Sequence, residues 1–336
     1  MIRITKFMAA AFFIDGCMST AAIAQTSTVQ LYGILDVAIG SFKPSGASAS
    51  SLAMLSGGQT TSFYGIRGTE DLGGGLRANF AIEGYLLMNS GQSGRFSGDN
   101  AYSRNAYVGL SGQWGEIRAG RLINPLFFIT ARTNPLGGST RFSPLMVQTW
   151  IADFGRAVAG DTSWDSAISY ESPSIAGTKV TFQYGLPGTG AHDVLAAVVY
   201  DQGPLYASAA AQRTGYGPGI TSTTTHQNVY FVGGTYKFPY FSLSASFDRA
   251  LAYPSGLSTK TWQAGISVPV GISSIGASWA HTALSTPTGD RHRDTAGLTY
   301  DYPLSKRTDA YLSYLYDKLS TAGTGNSFGV GLRHRF

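Results

Sequence analysis

The chain reads as all-β: a transmembrane antiparallel up-and-down β-barrel of about sixteen strands behind a cleaved leader, with residues 25–336 forming one barrel domain. Three observations predict this. Period-two alternation of apolar and polar residues recurs from residue 29 to the C-terminus. Short turns alternate with longer Ser/Thr/Gly-rich connections, as in hairpins with one turn end and one loop end. The segment after residue 24 contains no run of about 18 apolar residues, so no helix is expected to span a bilayer, and a barrel needs none. An all-β sandwich could use the same alternating residues, but it would not explain the alternation in connection length.

The leader comes first. Arg3 and Lys6 form a basic start, an apolar stretch runs from Phe7 to Ile14, and Ala22-Ile23-Ala24 supplies a small-residue cleavage site before Gln25. Asp15 and Gly16 interrupt the apolar stretch, and Ile14-Asp15-Gly16-Cys17 faintly resembles a lipoprotein site. The β pattern that follows Ala24 directly favours simple cleavage. Cys17 is the single cysteine, so the exported chain should lack any disulfide or thiolate metal site. The leader holds two bases and one acid, so its removal takes the formal charge from +5 to +4. So small an excess, without a cluster of Lys and Arg among aromatics, does not point to nucleic acid.

The first strand sets Val29, Leu31, Gly33, Leu35, Val37 and Ile39 against Gln30, Tyr32 and Asp36. Further on, Leu243, Ala245 and Phe247 oppose Ser244, Ser246 and Asp248, and Trp262, Ala264 and Ile266 oppose Thr261, Gln263 and Ser267. Leu298, Tyr300 and Tyr302 oppose Thr295, Thr299 and Asp301, and Phe328, Val330 and Leu332 oppose Ser327, Arg333 and Arg335. Tight turns are expected at residues 71–74, 112–115, 173–177, 202–204, 238–240, 269–273 and 303–307, and longer loops at 43–59, 90–100, 215–227, 252–259, 285–291 and 318–326. The 43 glycines suit that many turns. Tyr184, Tyr200, Tyr206, Tyr236, Phe238, Tyr240, Phe241, Tyr302, Tyr311, Tyr316 and Phe336 fall near strand ends, where amphipathic rings favour the headgroup level. Strand parity turns Arg67, Arg77, Glu83 and Arg118 toward the lumen, because Ile66, Gly68, Ala78, Phe80, Ile117 and Ala119 make the outer face. A charge on the lipid face at mid-depth would cost about 2–4 kcal/mol. Each of these arginines reads either as a solvated wall residue paired with an acid or as a source of an ion-selecting field.

One stretch breaks the pattern. Residues 121–161 form the longest run without alternation, and a loop this long in a compact protein is usually functional.

Four segments give the chain a family resemblance: VQLYGILD at 29–36, YGIRGTEDLGGGLRANF at 64–80, RNAYVGLSG at 104–112 leading to Gly120, Arg121 and Pro125, and GLRHRF at 331–336. Together they resemble the trimeric general porins of beta-proteobacterial outer membranes, and they span the chain after the leader. The resemblance implies an outer-membrane channel, passing small hydrophilic solutes and ions, whose third long loop folds into the lumen as a constriction. It implies a homotrimer whose contacts use the first strands, the last strand and residues 90–100. Its other partners would be outer-membrane lipid and lipopolysaccharide, with Phe336 read by the barrel assembly machinery.

On this reading the constriction gathers Arg118, Arg121, Arg132 and Arg141, with no Asp or Glu between Ile117 and Ala152. Rings of charge at the narrowest point set selectivity, so a mild anion preference is expected. Phe63 and Thr162 stand where the family tends to carry arginine, which weakens that expectation. Phe127, Phe128, Phe142 and Trp150 in the loop leave open a substrate-specific channel that stacks a ligand. No cofactor is expected, and His192, His226, His281, His292 and His334 are too scattered for a metal site. No G-x-S-x-G elbow, H-E-x-x-H or phosphate loop suggests an enzyme.

Overall fold

The computed structural model describes residues 27–151, 159–187, 192–215, 217 and 224–336. The leader and its cleavage site lie outside these residues, as does part of the 121–161 stretch. A single antiparallel sheet of eighteen strands, β1 to β18, runs from Thr28–Phe42 (β1) to Gly323–Arg335 (β18). Two are short additions: β2 (Ser51–Ser56) and the two-residue β5 (Gln92–Ser93). The other sixteen make the barrel wall.

Closure joins the ends of the chain. β1 and β18 pair from Ile34↔Arg335 to Ser41↔Phe328, and Gly33 and Phe336 exchange backbone hydrogen bonds of 3.2 Å in both directions. On its other edge β1 pairs first with β3 (Phe63–Gly73), from Thr28↔Thr69 to Ile34↔Phe63, and then with β2, from Val37↔Ser56 to Phe42↔Ser51. Between these two partners, Gly57 N donates to Asp36 O at 2.8 Å, and Ser62 Oγ bonds both Asp36 N and Asp36 O at 2.9 Å. The seam is therefore hydrogen-bonded throughout.

The wall is inverted relative to a soluble protein. Leu31, Ile66, Ile82, Val108, Ile117, Phe182, Val232, Trp262, Leu298 and Val330 are exposed on its outer face, while Gln183, Gln212, Asp248, Gln263, Thr282, Thr295 and Asp317 are buried inside. A surface of that kind suits a hydrocarbon solvent, and closing the sheet leaves no strand edge unpaired within it. Aromatic pairs mark both rims of the outer face. Tyr236, Phe238 and Phe241 stack at the turn end, and Phe247 packs on Trp262 toward the loop end.

The seven tight turns fall where the sequence places them, within a residue or two, at one end of the barrel. The loop end differs in detail. The connections at residues 255–257 and 320–322 are as tight as the turns, because strands β13 (Ser242–Pro254), β14 (Ser258–Val270), β17 (Thr308–Leu319) and β18 run on into stretches expected to be loop. Those stretches are rich in Ser and Thr, which pair well across strands. Gly256 and Gly323 supply the positive φ that the turns need, at 73° and 81°. Two of the tyrosines expected at the headgroup level, Tyr206 and Tyr311, instead point inward and are buried, being in register with inward Thr235 and Asp301.

Parity makes a direct test. Leu298→Lys puts a charge on the outer face at mid-strand and is expected to cost about 2–4 kcal/mol in reversible urea unfolding from liposomes. Thr181→Lys, which faces the lumen, should cost well under half of that.

Candidate functional site: the lumen and its long loop

The 121–161 stretch contains two helices, α1 (Pro125–Arg132) and α2 (Pro144–Trp150). Each begins with a side-chain cap followed by proline: Asn124 Oδ1 accepts from Leu126 N at 2.9 Å, and Ser143 Oγ accepts from Met146 N at 3.4 Å. Proline at the first helical position loses no hydrogen bond and presets φ. α1 turns one apolar side to the wall, and α2 is buried along its whole length. Leu126, Ile129, Leu145, Met146 and Trp150 form one buried cluster with Leu195, Ala197, Ala210, Val229, Phe231, Ala250 and Ala252, all inward residues of the strands from β10 (Asp193–Gln202) to β13. Fully burying a Leu or Met side chain contributes about 1.5–3 kcal/mol, so this apolar inner wall holds the loop against it.

Polar contacts fix the position. Asn124 Nδ2 donates to Gln212 Oε1 at 2.7 Å, Gln148 Nε2 donates to Ala280 O, Arg293 O and Thr295 Oγ1, and Trp150 Nε1 reaches Thr130 Oγ1 between the helices. Farther on, Leu136 and Phe142 pack with Leu315 and Phe42.

The bend between the helices is tied to the base of the first loop. Ser139 Oγ donates to Gly58 O at 2.6 Å and Arg141 Nε to Ser56 O at 3.2 Å. That base is itself organised by Asp36, whose carboxylate accepts from Gly58 N, Gln59 N and Thr60 N at 2.7–3.0 Å and from Tyr311 Oη at 2.5 Å. Three of these donors are the main-chain N–H groups of residues 58–60, so the buried carboxylate holds that stretch inward.

At the far end the loop is latched by Arg95, which bonds Asp99 at 2.8 Å and Asp161 at 2.5 Å. Burial alone would lower the Arg95 pKa, and the two carboxylates outweigh it and raise it. Burial pushes Asp99 up, and the hydrogen bonds from Arg95 carry it below its ordinary value.

What remains open lies on the other side. A cavity of about 360 Å³ is bounded by Phe128 of α1 and by Tyr32, Arg67, Arg104, Tyr107, Arg118 and Gln183 of the facing wall. Glu83 sits behind this surface. It is on the lumen side but buried, accepting from Tyr32, from Arg104 and, at 2.5 Å, from Asn105. Arg104 also lies 3.8 Å over the Phe63 ring. Arg104 falls in the RNAYVGLSG segment, where nothing local marks it as a wall residue or as the partner of Glu83.

The expected residues sort by position. Arg67 bonds Gln30 and lies 4.4 Å over the Tyr32 ring, both neutral partners. Arg77 is exposed on the lumen side near the turn end; among the described residues no acid lies within ion-pair distance of it or of Arg67. Arg118 pairs with Glu116. Arg132, at the end of α1, pairs with Asp201 at 2.6 Å and covers the Tyr206 ring. Burial holds the pKa of Arg141 below its ordinary value. Arg121 corrects an expectation. β7 (Gly115–Ile123) runs past it, so it shares the outward face of Ala119, pairs with Ala106, and bonds Ser103 O and Asp165 outside the lumen. Reading parity two residues beyond Ala119 would have found this.

The loop aromatics do not form a free stacking platform. Phe142 and Trp150 are buried and Phe127 packs edge-on against Trp150 at 5.4 Å, leaving Phe128 exposed to the cavity.

An inverted, closed barrel with polar inner walls and a loop clamped across part of its interior is the architecture of a membrane diffusion channel. Residues 8–322 match the family described as Gram-negative porin, and the chain belongs to that family. It is 32% identical to outer membrane porin protein 32 of Delftia acidovorans over 95% of this chain and 96% of that one, and 28% identical to an outer membrane porin protein of Bordetella pertussis over 98% and 100%. Its fold is similar to a solved structure described as the anion-selective porin from Comamonas acidovorans, with a TM-score of 0.77 and 28% identity over 93% of this chain and 100% of that one. The protein is an outer-membrane porin, a passive channel and not an enzyme.

Two measurements test the clamps. Asp36→Ala leaves the buried N–H groups of Gly58 and Gln59, and the half-buried one of Thr60, without their acceptor; at about 1–3 kcal/mol for each buried group it should lower the unfolding midpoint and make single-channel current noisier as the bend at Ser139–Arg141 loosens. The latch should be acid-sensitive. With the folded pKa of Asp99 depressed, its contribution is complete above the ordinary carboxylate value of 3.8 and is lost as pH falls through the lower folded value. Amide exchange across residues 90–100 should therefore rise below about pH 4, and Arg95→Ala should raise it at neutral pH and flatten that dependence.

Proposed function

We propose that this porin passes small hydrophilic solutes and ions by diffusion with a mild preference for anions, and that Arg67 and Arg77 carry the preference. The observation behind this is the charge balance of the open side. Glu83 is matched by Arg104, Arg118 by Glu116, and Glu171 by Lys179, whereas Arg67 has only neutral partners. An unmatched cation on a water-filled wall raises local anion concentration. Arg132 and Arg141 on the loop narrow the passage more than they charge it, since Arg132 is paired and Arg141 is largely covered. The anion selectivity named for the Comamonas structure supports the same sign.

The assembly is a homotrimer on this reading. The outer face carries an apolar concavity of about 660 Å³ lined by Val29, Phe80, Val108, Leu110 and Ile117, which a second copy could fill. Residues 1–24 act as the export leader. Phe336 is the signal read by the barrel assembly machinery, and lipid and lipopolysaccharide surround the wall.

In a planar bilayer the purified protein should conduct in threefold steps, with a reversal potential under a salt gradient that shows weak anion preference. Arg67→Gln combined with Arg77→Gln should bring that potential close to zero with the unitary conductance largely kept. Cation preference of the wild type would sink the charge argument, and absence of conductance would sink the channel.

A further inference from the structure

We propose that a second cavity, at the loop end of the barrel, is a binding subsite for small aromatic carboxylates, with Arg141 holding the carboxylate and Tyr85, Phe127 and Trp150 enclosing the ring. The proposal deepens the reading of the chain as an anion-preferring diffusion channel and rests on it.

The cavity has a volume of about 200 Å³ and lies between the base of the first loop, the end of β4 (Leu76–Leu87) and the two helices of the long loop. Phe127 lines it, whereas its neighbour Phe128 lines the cavity that holds Arg67, so α1 stands between the two. Thr61 and Thr140 add hydroxyl groups to the lining. Drug-sized ligands occupy about 300–1,000 Å³, so the smaller space suits a solute of one ring.

Arg141 is the reason to expect an anion there. Its Nε donates to Ser56 O at 3.2 Å, and among the described residues this is the one hydrogen bond its side chain makes. No acid among those residues lies within ion-pair distance of it. Asp36 acts on it from farther away and is already committed to Gly58, Gln59, Thr60 and Tyr311. The acid that does line the cavity, Asp161, is bonded to Arg95. Burying a charge is costly unless an opposite charge matches it, and a residue that served only to tie the bend to Ser56 would need no charge at all. The two terminal nitrogens of the guanidinium match the two oxygens of a carboxylate.

The rest of the lining selects the body of the solute. Phe127 is half-buried and backed edge-on by Trp150 at 5.4 Å, and Tyr85 is buried on the β4 side. Aromatic pairs gain more than burial of their area alone supplies, so a flat ring is favoured over an aliphatic one. A solute arriving from the loop side meets this subsite before it reaches Arg67.

The test is saturation-transfer difference NMR on the purified full-length protein in neutral detergent, corrected with empty micelles. The probe is benzoate. It is compared with benzamide, which keeps the ring and loses the charge, with cyclohexanecarboxylate, which keeps the charge and loses the flat ring, and with acetate. Wild type should bind benzoate with a Kd on the order of 1 mM. That is expected to be about tenfold tighter than benzamide and about threefold tighter than cyclohexanecarboxylate. Arg141→Gln should abolish the advantage over benzamide, and Phe127→Leu should lower the advantage over cyclohexanecarboxylate alone. Equal benzoate affinity in wild type and Arg141→Gln overturns the proposal. So does acetate binding as tightly as benzoate, which would mark a general anion site, and so does loss of benzoate binding in Arg67→Gln but not in Arg141→Gln, which would move the solute to the other cavity. If Arg141→Gln does not fold, judged by heat-modifiable gel mobility, Arg67→Gln decides: a kept preference for benzoate over benzamide supports Arg141, and a lost one refutes it. Anion-biased bilayer conductance of the same preparations without benzoate binding overturns the subsite and leaves the channel reading standing.

Discussion

Hydrocarbon cannot hydrogen-bond a peptide group, and the rest of this structure follows from that. A sheet in such a solvent must close on itself, and every strand must show it apolar side chains at alternate positions. Both demands meet at β1. It is paired along one edge by β18 and along the other by β3 and then β2, with Ser62 and Gly57 bridging the interval at Asp36. A slip of one residue in β1 would carry Asp36 to the lipid side.

With the wall fixed, the interior divides into two kinds of surface. Inward Leu195, Val229 and Phe231 are as apolar as a protein core, and α1 and α2 dock there. Inward Tyr32, Arg67, Arg104 and Arg118 face water. The long loop is thus held by ordinary hydrophobic packing on one side, by the Asp36-organised bend through Ser139 and Arg141, and by Arg95 at its return. Three independent attachments make the open side a fixed geometry, the condition for charges on it to act as a steady field.

The strands were legible because period two needs no knowledge of partners: Leu298 and Thr299 declare their faces locally. The helices have a local signal too, since Asn124-Pro125 and Ser143-Pro144 are cap-and-start pairs in a stretch that lacks alternation. Arg121 faces outward because its strand continues to Ile123, two residues into the stretch that lacks alternation. The role of Asp36 could not be read at all. Its partners are main-chain groups 22 to 24 residues away and a tyrosine 275 residues away, and nothing in an isolated aspartate distinguishes a carboxylate that organises a loop from one that lines a pore.

The reciprocal bonds between Gly33 and Phe336 carry a consequence for time as well as geometry. They join the first strand to the last residue of the chain, so the barrel's final pairing spans nearly its whole length. Neighbouring hairpins can form as soon as both arms exist, but this seam must wait until Phe336 is present and the other strands are in register. Until then β1 and β18 are open edges, the kind that pair with the wrong chain. A closed wall is therefore the last thing this polypeptide acquires, and its two ends need protection for the whole interval before it.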